Sequence, residues 1–171
     1  MKFTVKEICL TALFTALVFV MTFVPKIPIP LGYAHLGNAA VFLGVILIGR
    51  RNGAIAGSIG SGLADLIGGF AIWIIPTLII KYVMAMIFAY AGEQAQPGNF
   101  SINRQSIIGL VLACLWMTVS YTIAGAVLYG SLEAGLASTP GLAMEGVMNA
   151  VVFLILAKPF QIIRSNLMIL L

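Results

Sequence analysis

Six apolar segments follow one another along the chain, separated by short stretches that are polar or rich in glycine and proline. About 20 apolar residues suffice for a helix to cross a bilayer, and continuous rather than alternating apolar runs argue against a β-barrel. The pattern predicts one domain with an all-α fold, an integral membrane bundle of six transmembrane helices. The approximate spans are 4–24, 36–48, 53–67, 76–92, 106–129 and 140–163.

The links between these segments differ in character. The run Pro25-Lys26-Ile27-Pro28-Ile29-Pro30 cannot continue a helix, because proline lacks an amide donor, and it predicts a stiff extended loop. The polar stretches 93–105 and 131–139 are also predicted loops. The second segment is short and the third is rich in glycine, so we expect both to pack against neighbouring helices rather than lipid.

Composition supports a membrane protein. Hydrophobic residues make up 61% of the 171 residues and charged residues 8%, whereas a soluble domain carries about 25% charged residues. Cys9 and Cys114 both lie in apolar segments, without a second thiol at metal-ligand spacing, and are interpreted as small hydrophobic residues.

The charge distribution predicts an orientation. Six spans with a cytoplasmic amino terminus place most of the nine basic residues on the cytoplasmic side. These residues are Lys2, Lys6, Arg50, Arg51, Arg104, Lys158 and Arg164. The positive-inside rule then favours two cytoplasmic termini.

With that orientation, ionisable residues from three helices meet at a similar depth near the outer side. Asp65 ends the third segment, Lys81 lies five residues after Pro76, and Glu145 follows Pro140 by the same interval. Such groups are costly in a bilayer unless they face a cavity or a partner. The sequence therefore predicts a polar, aromatic-lined pocket that opens outward. Its candidate substrate-binding residues are His35, Asn38, Trp73, Lys81, Tyr121, Glu145 and Asn149.

Each candidate also has a structural interpretation. Asp65 and Lys81 could form an ion pair that holds the third helix to the fourth, and His35 could satisfy a backbone carbonyl at a helix start. Tyr121 could serve in packing or in the interfacial belt of aromatic residues. No second metal ligand is placed near His35, so no metal or cofactor is expected.

The sequence resembles the substrate-binding S component of an energy-coupling factor (ECF) vitamin transporter, over nearly the whole chain. The resemblance rests on six predicted spans and four motifs. The motifs are Ala12-x-x-x-Ala16, the proline loop leading to Gly32-Tyr33-Ala34-His35-Leu36-Gly37-Asn38, the turn Leu47-Ile48-Gly49-Arg50-Arg51-Asn52-Gly53-Ala54-Ile55-Ala56-Gly57, and Thr77-Leu78-Ile79-Ile80-Lys81. It is closest to the hydroxymethylpyrimidine or pyridoxine-type branch, with riboflavin S components as relatives.

The resemblance implies a mechanism in a prokaryotic cytoplasmic membrane. The S component binds a vitamin from outside and closes a lid over it, here 26–33 with Lys26, Pro28, Pro30 and Tyr33. It then docks through Ala12 and Ala16 on a transmembrane coupling protein, the T component, which two cytoplasmic ATPases energise. Family members often carry Asp after His-Leu-Gly where this chain has Asn38, a replacement that removes a charge. Nucleic acid is not an implied partner.

The chain contains no Gly-x-x-x-x-Gly-Lys-Ser/Thr phosphate loop, so any ATP hydrolysis must occur in a partner. Riboflavin, pantothenate or another vitamin remains an alternative cargo. A stand-alone ion-coupled transporter, with Asp65 or Glu145 titrating, is an alternative of another class, although visible internal repeats are missing. An intramembrane enzyme would have only His35, Asp65 and Glu145 as candidate bases and no recognisable catalytic constellation.

Overall fold

A computed structural model describes residues 3–30, 32–92 and 102–169. Within these ranges the chain is helical except for one short hairpin and its connections. The helices are α1 (Val5–Phe23), α2 (Gly37–Ile48), α3 (Arg50–Gly68), α4 (Ile74–Ala91), α5 (Arg104–Leu128) and α6 (Leu132–Ile169). The hairpin pairs β1 (Ile27–Ile29) with β2 (Gly32–Ala34), and a 3-10 turn, Ala71–Trp73, precedes α4.

In the described part of the chain, four stretches of helix are long and apolar enough to cross a membrane, namely Val5–Phe23, Ala71–Ala91, Arg104–Leu128 and Leu132–Phe160. Helix α2 is apolar but has only 12 residues, and α3 is polar and rich in glycine. The helices agree with a multi-pass membrane protein. The count of six spans and the cytoplasmic position of both termini remain predictions, and the predicted loop 93–105 and Lys2 lie largely outside the described residues.

Helix α2 forms the centre of the bundle. Every residue from Gly37 to Leu47 is buried, and the Phe42 ring packs on Phe88 of α4 and Phe153 of α6 at centroid distances of 4.9 and 5.7 Å. Burial of such rings is a main source of packing energy. This confirms the expectation that α2 faces other helices rather than lipid.

Helices α2 and α3 turn back on each other at Gly49 and pack with their backbones in close contact. A methyl group at Gly53 would lie 2.5 Å from the backbone nitrogen of Val45, whereas one at Gly44 would meet the Phe14 ring at 3.4 Å. Small residues permit this close approach. The glycines that shorten the hydrophobic pattern of α3 thus serve its packing against α2.

The proline loop forms a structure that the sequence did not predict. Strands β1 and β2 make an antiparallel two-stranded hairpin in which Ile27 pairs with Ala34 and Ile29 with Gly32. Prolines at 28 and 30 are compatible with this because the hairpin consists of two edge strands, where a missing amide donor is tolerated. The extended conformation was predicted, but the strand pairing was not.

The predicted loop at 131–139 is wrong, because α6 already begins at Leu132. Gly130 turns the chain with φ 63° after α5, and the Ser131 hydroxyl accepts a hydrogen bond from the amide of Ala134, as in a helix cap. Pro140 therefore lies inside α6 rather than at its start. A proline is tolerated inside a membrane helix where neighbouring groups satisfy the freed backbone.

The hairpin, the 3-10 turn and the α5–α6 connection lie at one end of the bundle, because successive helices run in alternating directions. The opposite end contains the α2–α3 turn with two arginines. Arg50 lies over the Tyr90 ring at 4.8 Å and Arg51 over the Phe3 ring at 4.1 Å. These cation–π contacts keep basic charge at the end opposite the hairpin.

We predict that Gly53→Ala lowers the thermal unfolding midpoint of the purified protein, because its methyl group would overlap the α2 backbone. Overpacking of this kind costs about 1–3 kcal/mol. Gly44→Ala, on the facing helix, is the matched control and should change the midpoint little, since its nearest contacts are ordinary ones. Equal midpoints for the two variants would contradict the close packing.

Candidate ligand-binding cavity

A cavity with about 520 Å³ of empty space, counting its open mouth, lies beneath the hairpin. Pockets of a few hundred Å³ with apolar walls and a few polar groups are typical small-molecule sites. Helices α3, α4, α5 and α6 and the hairpin contribute lining residues to it. The lining residues are Ile29, Pro30, Tyr33, His35, Asp65, Phe70, Trp73, Thr77, Lys81, Tyr121, Ser138, Leu142 and Glu145.

At the closed end of the cavity, one amide joins two buried charges. Lys81 donates a hydrogen bond to Asn38 Oδ1, and Asn38 Nδ2 donates to Glu145 Oε1 at 2.8 Å. Lys81 and Glu145 are 2% and 3% exposed. The amide stabilises both charges at once, because its oxygen faces the ammonium and its nitrogen faces the carboxylate. An Asp at 38 would instead place a second carboxylate against Glu145.

The ion pair considered for Asp65 and Lys81 is not formed as a direct contact. Among residues 3–30, 32–92 and 102–169, the one acid–base contact within 4.0 Å is between His35 and Glu145. Asp65 lines the cavity and accepts a hydrogen bond from the Tyr33 hydroxyl at 3.4 Å. Lys81 instead donates a hydrogen bond to Asn38. The two helices are joined differently, through the Ser58 hydroxyl, which donates to the Leu78 carbonyl at 2.7 Å.

Asn149 fixes the start of α2 beside the cavity. Its Nδ2 donates to the His35 carbonyl at 2.6 Å and to the Glu145 carbonyl at 2.9 Å, and its Oδ1 accepts from the Ala39 amide at 2.9 Å. The side chain is fully buried. It thereby satisfies two groups at a helix end that has no side-chain cap. Asn149 holds α2 on α6 behind the cavity wall.

His35 is neutral in this setting. Its Nδ1 accepts from the Gly37 amide at 3.1 Å, which places the ring proton on Nε2. Burial lowers the pKa of His35 well below its ordinary value, and the nearby Lys81 ammonium lowers it further. The 3.4 Å contact between Nδ1 and Glu145 Oε1 is therefore a contact of two acceptors, each supplied by its own amide donor, and not an ion pair.

Aromatic rings form one wall of the cavity. Trp73 lies beside Tyr121 and Tyr129 at centroid distances of 5.8 and 6.2 Å, and the Tyr121 hydroxyl donates to Thr77 at 3.0 Å. Lys81 lies 5.3 Å from the centroid of the Tyr121 ring. A planar ligand could stack on this wall while its edge reaches the charged end.

Tyr33 attaches the hairpin to the cavity rim. Its ring packs on Phe70 and on His35 at centroid distances of 5.2 and 5.7 Å, and Lys26 lies over it at 4.6 Å. Burial and the neighbouring Asp65 carboxylate raise the pKa of the Tyr33 phenol, so it remains a hydrogen-bond donor. Ile29 and Pro30 of the hairpin also line the cavity, whereas Pro28 is exposed on it.

The structure brings together most of the site residues chosen from the sequence. His35, Trp73, Lys81, Tyr121 and Glu145 line the cavity, and Asn38 and Asn149 support it from behind.

Sequence reasoning missed several contributors. Ser138 and Leu142 were hidden by the misplaced start of α6, although they precede Glu145 by seven and three residues and so share its face. Thr77 lies one turn before Lys81, a spacing that could have identified it. Met117, whose sulfur accepts from Asn38 at 3.0 Å, carried no recognisable signal.

A second surface feature lies away from this cavity, along α1 and α3. It is a broad apolar groove in which Ala12 and Ala16 are exposed. Its walls include Ile59 and Leu63, both at least 40% exposed. The hydroxyls of Thr11 and Thr15 donate to the carbonyls of Glu7 and Thr11 in their own helix, which leaves the groove apolar. We call this surface the α1–α3 groove.

Comparison with known proteins gives a consistent result. A family model for the S component of ECF-type riboflavin transporters matches residues 2–161. The thiamine precursor transporter HmpT of Lactococcus lactis is 29% identical over 159 residues, 90% of this chain and 84% of that protein. An uncharacterised protein of Pyrococcus woesei is 35% identical over 115 residues, 66% of this chain and 74% of its own. A solved S component of a bacterial ECF transporter has the same fold, with a TM-score of 0.73 and 19% identity over 95% of this chain and 97% of that one.

We predict that Asn149→Asp destabilises the protein and weakens ligand binding together. A carboxylate oxygen would replace the donor that faces the His35 and Glu145 carbonyls, at a cost of about 2–4 kcal/mol. Thermal unfolding in detergent measures this. The matched control is Asn103→Asp at the exposed N-cap of α5, where a carboxylate oxygen can still accept from the Ser106 amide and is favourable near the helix start. A neutral effect of Asn149→Asp would contradict the assigned hydrogen bonds.

Proposed function

The chain belongs to the family of S components of ECF-type riboflavin transporters, and we propose from this premise that it captures a small water-soluble vitamin or precursor from outside the cell. Hydroxymethylpyrimidine, or a pyridoxine-like compound, is the favoured cargo. The single observation that carries the proposal is the cavity, where an aromatic wall faces one end that holds both Lys81 and Glu145. The family is one of transporter subunits and not of enzymes.

One observation supports this cargo in particular. The matched transporter of Lactococcus lactis is named for a thiamine precursor and aligns with nearly the whole chain. Riboflavin is the second candidate, since the matching family model is named for it.

The hairpin is well placed to act as the lid. It lies over the cavity, and its attachment to the rim depends on Tyr33, whose hydroxyl reaches Asp65 over 3.4 Å. Lys26 adds cation–π contacts to Phe23 and Tyr33 at 4.1 and 4.6 Å. Lys26, Ile27 and Pro28 are exposed, so opening of this part of the hairpin costs less than opening of the helical core.

The α1–α3 groove is the proposed docking surface for a transmembrane coupling protein that two cytoplasmic ATPases energise. Ala12 and Ala16 on α1 leave room for a partner helix to approach closely. The cavity and the groove use different residues, so ligand capture and docking can be tested separately. Release of the cargo inside would require the docked complex.

We predict that Trp73→Ala and Glu145→Ala each weaken the binding of hydroxymethylpyrimidine by about 10- to 100-fold. The first removes a stacking surface and the second a charged acceptor. Isothermal titration or a ligand-induced thermal shift of the detergent-solubilised protein measures the change. Trp116→Ala is the control, because the other tryptophan is outside the cavity lining. Failure of the wild-type protein to bind any vitamin of a panel that includes riboflavin and pyridoxine would overturn the proposed function.

We predict that Ala12→Trp abolishes vitamin uptake by a reconstituted complex with a coupling protein and its ATPases, while ligand affinity remains unchanged. The indole would fill the α1–α3 groove and hold the partner helix away. Leu13→Trp is the matched control, since Leu13 is 63% exposed but lies outside the groove. Normal uptake by the Ala12→Trp variant would rule out this docking surface.

A further inference from the structure

Lys81 and Glu145 form hydrogen bonds with the two ends of one side-chain amide, that of Asn38. The ammonium contacts Asn38 Oδ1 and the carboxylate contacts Asn38 Nδ2, atoms that are about 2.2 Å apart given the C=O and C–N bond lengths of an amide. Within the described ranges no direct ion pair joins the two charges. The amide therefore holds a donor and an acceptor side by side at a spacing set by one planar group.

Both charged groups retain bonding capacity toward the cavity, whose lining they share. The ammonium has three N–H donors, of which one is used by Asn38, and its contact with the Met117 sulfur is long at 3.9 Å. Glu145 uses Oε1 for Asn38, and Oε2 remains to accept from a bound molecule. The cavity thus offers a donor beside a charged acceptor at its closed end.

We infer that the bound molecule is a pyrimidine-type ring whose edge places a hydrogen-bond acceptor next to a donor, with the acceptor on Lys81 and the donor on Glu145. An amino group beside an unprotonated ring nitrogen has this pattern, and its two nitrogens are separated by about the same distance as the two ends of an amide. The inference rests on the proposed function and narrows its cargo. It disfavours a pyridine such as pyridoxine, whose ring nitrogen has no neighbouring donor.

Asn38 is a positioning residue in this account. It contacts the two recognising groups from behind, as the ring edge would contact them from the cavity side. Without the amide, the ammonium and the carboxylate would be free to move together and pair directly, and the spacing would be lost. Trp73 and Tyr121 would stack on the face of the ligand ring and so orient its plane. They do not distinguish the hydrogen-bonding groups on its edge.

The test uses three matched ligands: 4-amino-5-hydroxymethyl-2-methylpyrimidine, an analogue with methyl in place of the amino group, and an analogue with CH in place of the ring nitrogen beside it. We expect each analogue to bind the wild-type protein about 10- to 100-fold more weakly than the parent, because each leaves one buried charged partner unsatisfied.

The variants assign each loss to one residue. In Glu145→Ala, the parent and the methyl analogue should bind with similar affinity, while the loss caused by the CH analogue persists. In Lys81→Met, the parent and the CH analogue should bind with similar affinity, while the loss caused by the methyl analogue persists. Thr118→Ala, which lies outside the cavity lining and whose hydroxyl donates within α5 to the Cys114 carbonyl, should leave all affinity ratios unchanged. Each comparison is a ratio of two ligand affinities for the same variant. A general destabilisation of the fold weakens both affinities alike and leaves the ratio unchanged.

Should either single variant fail to fold with one buried charge unpaired, Lys81→Met combined with Glu145→Met removes both charges and should bind all three ligands equally. Analogues that bind the wild-type protein within about threefold of the parent would overturn the inference while leaving the proposed function intact. Binding of pyridoxine in place of the parent would also overturn the inference and leave the proposed function intact. Absence of binding by every vitamin would instead remove the proposed function itself.

Discussion

The amide of Asn38 is the interaction on which the site depends. An ammonium and a carboxylate are buried in a bundle where each alone would cost several kcal/mol. The amide of Asn38 satisfies both while keeping them apart. A direct pair would satisfy the charges but would leave little to recognise a ligand. The bridged arrangement keeps the charges stable and still available to a molecule in the cavity.

The rest of the fold holds that amide in place. Asn38 lies in the first turn of α2, a helix too short to cross a bilayer and almost completely buried. Helix α2 is held at its start by Asn149 of α6. Near its end it is held by Gly53 of α3, whose backbone packs closely against that of α2. The aromatic cluster of Phe42, Phe88 and Phe153 fills the space between the helices below the site. Packing, and not an exposed loop, sets the geometry of the charged end of the cavity.

The sequence predicted the helical character, the buried nature of α2 and most of the cavity residues because these follow from hydropathy and from the cost of charge in a bilayer. Glu145, Lys81 and His35 were identified for that reason. The sequence could not decide whether Asp65 and Lys81 form a direct ion pair, because depth along a helix does not specify rotation about its axis. The start of α6 was misplaced because Pro140 is a valid first-turn residue as well as a tolerated interior one. The hairpin pairing depends on contacts across eight residues that no local pattern encodes.

Mass spectrometry of small molecules that co-purify with the detergent-solubilised chain tests the central claim most directly, namely that the cavity is a vitamin-binding site. We expect a stoichiometric heteroaromatic vitamin or precursor from the wild-type protein and its loss when Glu145 is replaced. An empty protein that also gains no thermal stability from any vitamin would contradict the claim. In that case the cavity would be a buried polar network of the bundle and not a binding site.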